Sequence, residues 1–100
     1  MGTAQLAWMQ DMKFVGKGAS GHEVVMDAAP EVGGHDSAAR PMEVLLIGLM
    51  GCTAMDVMSI LKKKRQDVQD LKIFATFERS PEHPKKYTSI HLDYVAYGDV

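Results

Sequence analysis

From residue 41 to residue 65 the chain carries one long apolar segment, and few folds can accommodate it. Of the 20 residues from Met42 to Leu61, 14 are apolar and two are glycine, which leaves no polar stripe wide enough to face water. The segment reads as a single helix that has to be covered on all sides. Pro41 suits its first turn, and Asp36 or Ser37 is close enough to help at the entry. Lys62, Lys63, Lys64 and Arg65 place positive charge at the negative end of the helix dipole. A helix over residues 41–65 would span roughly 37 Å. That is also enough to cross a bilayer, but Glu43, Asp56, Ser59 and the two glycines favour burial in protein.

The flanking sequence reads as strands. Residues 4–10, 12–16 and 22–28 are short apolar stretches, with Gly16, Gly18 and Gly21 as turn markers. Residues 29–40 hold a proline, two adjacent glycines and little periodicity, so they form a loop that is either functional or mobile. After the helix, residues 67–79 alternate: Leu71, Ile73, Ala75 and Phe77 face one way, Lys72, Thr76 and Glu78 the other. Residues 86–97 alternate in the same manner, and residues 80–84 join the two as a hairpin. The expected fold is α+β, a single domain over residues 1–100, with antiparallel strands in the order βββ-α-ββ packed on one long central helix. Five strands leave one side of that helix uncovered, so either a second copy supplies the cover or the sequence is a fragment of a longer protein, and the two are compatible.

Composition narrows the function. A net charge of −2 with scattered signs argues against a nucleic-acid partner and against an anionic membrane surface. One cysteine cannot form an internal disulfide, and no basic segment followed by an apolar core opens the chain, so the cytoplasm is the expected compartment. His22, His35, His83 and His91 lack metal-ligand spacing, and no metal is expected.

The one cysteine, Cys52, lies near the middle of the helix. On a wheel of about 100° per residue, Thr53, Asp56 and Ser59 fall at roughly +100°, +40° and −20° from it. The few polar residues of the helix body thus share its stripe, which suits a cleft better than a sealed core. Gly48 and Gly51 would let another backbone, a partner helix or a ligand approach there. Two readings stay open: a packed structural cysteine beside packing glycines, or a reactive thiol. A reactive thiol needs a lowered pKa. Asp56, one turn on, works against this, and Arg40 and Lys62 are about 15 Å or more away along the helix. Arg40 and Glu43 could therefore reach Cys52 only from a second, antiparallel copy.

The run Pro41-Met42-Glu43-Val44-Leu45-Leu46, followed by Gly51-Cys52-Thr53-Ala54-Met55-Asp56-Val57, resembles the central helix of the OsmC/Ohr superfamily, and most closely its YhfA-like branch. His83-Pro84-Lys85 and the Ile90-His91-Leu92 strand fit the same branch. The resemblance implies an intertwined α+β homodimer with two long helices at its centre. It implies thiol-dependent, peroxiredoxin-like reduction of organic or inorganic hydroperoxides in oxidative-stress defence, with Cys52 as the peroxidatic cysteine. A second, resolving cysteine usually follows in a C-terminal helical region, so the resemblance also implies a truncated chain whose oxidised thiol needs an external dithiol. No bound cofactor is implied.

Two places depart from the family pattern. The organic-hydroperoxide branch has its glutamate directly after the helix-start proline, where this chain has Met42, and Glu43 comes one place later. No arginine precedes Arg40, which stands in for an arginine that the branch carries in its N-terminal strands. The expected site is Cys52, Glu43 and Arg40, with Leu49 and Met55 receiving the organic part of a peroxide. The rival expectation is a non-enzymatic dimer that binds a small apolar ligand, with Cys52 only lining the pocket; a third is a structural fragment without activity.

Overall fold

The computed structural model describes residues 2–82 and 85–99. His83 and Pro84, part of the family resemblance, lie outside the described residues. The order is β1 (Gln5–Gln10), β2 (Lys13–Lys17), β3 (Glu23–Met26), a 3-10 turn (Pro30–Val32), α1 (Pro41–Lys63), β4 (Asp67–Arg79) and β5 (Tyr87–Asp99). The fold is α+β, with two separate antiparallel sheets, β1-β2-β3 and β4-β5. The chain forms two units, Met1–Ile47 and Gly48–Val100, and the boundary falls inside α1.

In the first unit, β1 and β2 are joined by a tight turn at Asp11, whose φ of 49° is left-handed. The Trp8 indole N–H donates to the Asp11 carbonyl at 2.7 Å and closes that turn. The pairings Leu6 with Gly16, Trp8 with Phe14, Gly16 with Val24 and Phe14 with Met26 put five apolar side chains on one face of the sheet. That face is open in the single chain; Trp8 is 65% exposed. Gly16, expected at a turn, sits inside β2 opposite Leu6, and Gly18 and Gly21 make the turn into β3. Strand β3 is shorter than the expected 22–28 because the chain bends away at Asp27, whose carboxylate bonds the following loop.

Helix α1 starts at Pro41 as expected. Its cap is neither Asp36 nor Ser37: Glu43 reaches back and accepts the Arg40 backbone N–H at 2.9 Å. The Arg40 carbonyl takes the first helical bond, from Val44 N–H at 3.0 Å, so Arg40 and Glu43 form half of a capping box. The helix ends at Lys63, two residues before the expected limit of 65. Arg65 turns left-handed (φ 57°), its N–H donates to the Lys62 carbonyl, and Gln66 N–H donates to the Leu61 carbonyl, both at 3.0 Å. This pair of bonds satisfies the last carbonyls and stops the helix. By length and a mean hydropathy of 2.0, α1 is long and apolar enough to cross a membrane, a property it shares with core helices of soluble proteins.

In the second unit, β4 and β5 form a hairpin of 13 residues on each side. The register places Leu71, Ile73, Ala75 and Phe77 opposite Ala96, Tyr94, Leu92 and Ile90, so the alternation read from each strand joins into one apolar face. Lys72, Thr76 and Glu78 lie on the reverse face, with Asp93, His91 and Ser89. Near the base, Gly98 (φ 134°) opposes Val68 at a bulge, and a side chain there would strike the Asp67 carbonyl. A two-stranded sheet is marginal in water unless something packs on it. Leu46, 8% exposed, is the only buried apolar side chain among the described residues. The apolar pattern read from the sequence is therefore present, and many of its large side chains, Trp8, Met55 and Phe74 among them, are exposed.

Candidate functional site

Cys52 sits on the outward side of α1 with an exposed, unbridged thiol. Gly48, Leu49, Met55, Asp56 and Ser59 are exposed with it, while Met50, Thr53, Ala54, Val57 and Leu61 on the opposite side are half-buried. Leu49 and Met55 precede and follow Cys52 by three residues, so they flank it at about 60° on either side. Met55 is 76% exposed. The two residues expected to receive an apolar substrate thus share the thiol's face, together with the Asp56 carboxylate. The Thr53 hydroxyl donates to the Met50 carbonyl at 2.9 Å, so it turns back into the helix instead of joining that face.

Arg40 and Glu43 meet at the helix entry, but not as a side-chain pair. Glu43 holds the Arg40 main-chain N–H. The Arg40 guanidinium instead contacts the Asp36 carboxylate, Nη2 to Oδ1 at 3.1 Å. Along the one continuous helix, Glu43 precedes Cys52 by nine residues, about 13 Å.

The sequence reading missed the residue that organises this region. Asp27 is 1% exposed and is the only buried charged residue among those described. Its carboxylate accepts four hydrogen bonds: Ala28 N–H at 2.7 Å, Ser37 Oγ–H at 2.6 Å, Ser37 N–H at 3.1 Å and His35 N–H at 3.3 Å. The Ser37 hydroxyl, then the Ala28 N–H, hold its carboxyl well below the usual carboxylate range; burial opposes them and loses. The Asp27 N–H also donates to the Ala39 carbonyl at 3.0 Å, beside the parallel bridge between Met26 and Ala39. Residues 28–39 are thus wound around one buried anion. Gly34 is required inside the winding, because a Cβ there would collide with the Ala28 carbonyl. His35, at its outer edge, reaches the Asp11 carboxylate at 2.7 Å. An aspartate just past a strand looks like an ordinary turn residue, and only the serine ten positions on hints at the cradle.

A βββ-α-ββ chain with an outward cysteine on its helix, and a glycine-bearing loop wound before that helix, defines a recognisable class. The family model for OsmC-like proteins matches residues 34–99, and the chain belongs to the OsmC-like family. It is 41% identical over 95 residues to protein YhfA of Escherichia coli K12, covering 95% of this chain and 68% of YhfA. Among solved structures, a hypothetical protein from Aquifex aeolicus is 37% identical with a TM-score of 0.82, over 100% of this chain and 69% of that one. A putative osmotic stress induced and detoxification response protein from Psychrobacter arcticus shares the fold at a TM-score of 0.85 and 17% identity, over 100% of this chain and 73% of that one.

Proposed function

We propose that this chain defends the cytoplasm against oxidants by reducing organic or inorganic hydroperoxides at Cys52. The observation that carries the reading is the placement of the thiol. In an OsmC-like chain, Cys52 faces outward between Leu49 and Met55, so one face offers both a nucleophile and apolar side chains to seat an alkyl or aryl group. The thiolate attacks the nearer peroxide oxygen and the O–O bond breaks. The alcohol leaves as alkoxide and takes up a proton, and the cysteine becomes a sulfenic acid. These 100 residues hold no second cysteine. The reductant we propose is an external dithiol: its first sulfur displaces water to form a mixed disulfide, and its second displaces the Cys52 thiolate. The name of the Psychrobacter protein is in keeping with such a stress-response role.

The active form we propose is a homodimer in which two α1 helices cross antiparallel near Gly48 and Gly51. Among the described residues outside the helix's own neighbouring turns, nothing lies within 4 Å of where a Cβ at either glycine would be. Mid-helix glycine costs stability relative to alanine, so a close approach from outside the chain gives these two positions a purpose. An antiparallel partner also brings its own Arg40 and Glu43 toward Cys52, which the 13 Å spacing forbids within one helix.

Asp56, exposed on the same face one turn from Cys52, opposes ionisation of the thiol and favours the second reading, a dimer that binds an apolar ligand without chemistry. Oxidation kinetics separate the two. Cumene hydroperoxide is expected to oxidise Cys52 much faster than free cysteine, to leave a sulfenic acid that dimedone traps, and to leave Cys52→Ser unlabelled. A rate equal to that of free cysteine would sink the peroxidase reading.

A further inference from the structure

We propose that Asp36, clamped by the buried Asp27 carboxylate, is the positioning residue that aims the Arg40 guanidinium, while Glu43 serves the helix cap. The proposal deepens the peroxidase reading, since Arg40 is the cation which that reading brings to a partner's Cys52. It rests on the geometry of one loop.

Asp36 is left-handed, with φ of 52°. Aspartate tolerates that conformation better than most residues, yet would leave it if nothing held it there. Three consecutive N–H groups hold it. Those of His35 and Ser37, one on each side, donate to the same Asp27 Oδ2, at 3.3 and 3.1 Å. Its own N–H donates to the Ala28 carbonyl at 3.1 Å. The peptide planes around Asp36 are therefore fixed, and with them the direction of its side chain.

Asp27 also holds the other end of the pair. Its N–H binds the carbonyl of Ala39, the residue just before Arg40. The Arg40 main chain is secured next, through its N–H to Glu43 and its carbonyl from Val44 N–H. An exposed ion pair between two loose side chains fixes little. Here both backbones are tied to one buried group, and the 3.1 Å contact between Asp36 and Arg40 bridges two anchored points. Glu43, the other carboxylate beside Arg40, is engaged with main chain in this loop.

The test reads the arginine directly, by ¹⁵N relaxation of the Arg40 Nε–Hε group in the full chain. Asp36→Asn keeps the left-handed preference and removes the charge. Glu43→Gln keeps a capping acceptor at the third helical position. Asp27→Asn endangers folding, so Ser37→Ala, which removes only the 2.6 Å hydroxyl bond, serves as the milder probe of the clamp. The wild type and Glu43→Gln are expected to show Arg40 Nε–Hε order near that of rigid backbone, about 0.85, and Asp36→Asn to fall below about 0.6. Ser37→Ala is expected to fall between them. Equal order in Asp36→Asn and wild type would overturn the proposal, as would loosening by Glu43→Gln that matches Asp36→Asn. A second arm follows Cys52 alkylation against pH, where Asp36→Asn is expected to move the profile in the same direction as Arg40→Gln and the double variant to go no further. A shift with Arg40→Gln but none with Asp36→Asn overturns the positioning role. Slow oxidation of wild-type Cys52 would sink the peroxidase reading alone, because the Nε–Hε order decides the proposal whether or not the thiol reacts.

Discussion

Asp27 is the residue on which the loop before the helix depends, and its chemistry gives that dependence a pH signature. The hydroxyl of Ser37 and the N–H groups of Ala28, Ser37 and His35 all favour the charged form, so the carboxyl titrates lower in the fold than in the unfolded chain. Its contribution to stability is complete above the unfolded value of about 4 and drains away as pH falls below it toward the folded value. Asp27→Asn is expected to melt several degrees lower at pH 7, and its midpoint is expected to change less than that of the wild type between about pH 4 and pH 2. Thermal unfolding by circular dichroism across that range checks both; parallel pH curves would show that the carboxylate is not the acid-labile group. The exposed stripe that carries Cys52 was legible in the sequence, because the sparse polar residues of the helix body mark it. Asp27 was not legible, because its partners lie one, eight and ten residues away and three of its four bonds come from main chain. Arg40 and Glu43 were read as residues of one site; they meet at the helix entry, side chain to main chain.

At the scale of elements the sequence carried most of the fold, for physical reasons that differ from one element to the next. The alternation in residues 67–79 and 86–97 has period two, and the register of β4 and β5 keeps both apolar sets on one face. The helix was plain from its apolar run and from Pro41, but its end was not. Arg65 has a Cβ that disfavours the left-handed conformation it adopts, so composition pointed to helix through residue 65 while the terminating bonds set the limit at Lys63. Arg65→Gly is expected to raise stability by about 1 kcal/mol, since glycine enters that conformation without steric penalty. The urea midpoint of unfolding should move up accordingly, and an unchanged or lower midpoint would mean that the arginine side chain compensates through a contact of its own. Gly16 misled in the opposite direction: read as a turn, it sits within a strand, and a turn signal inside a period-two run is weak evidence.

At the scale of the whole molecule the glycines of α1 supply the sharper test. If α1 stays uncovered in solution, Gly48→Ala and Gly51→Ala each stabilise the protein by about 1 kcal/mol, through helix propensity alone. If a second helix lies against them, the added methyl groups separate the two backbones, and both stability and association fall. The homodimer reading expects the second outcome. It also expects a wild-type melting temperature that rises with protein concentration, measured beside sedimentation at micromolar chain. A concentration-independent melt, with both alanine variants more stable, would remove the dimer and with it the shared site.

The β4-β5 hairpin carries a cost of another kind. Among the described residues its sheet has two strands, so both of them are edges there, each 13 residues long. Hairpins close within microseconds of the chain becoming available, whereas meeting a second chain takes as long as concentration dictates. In that interval the strand edges and the apolar face are a template for any extended peptide nearby. The level at which a cell makes this chain therefore decides more than how much of it there is. In the homodimer we propose, it sets the odds between finding its own kind and being captured along an open strand edge.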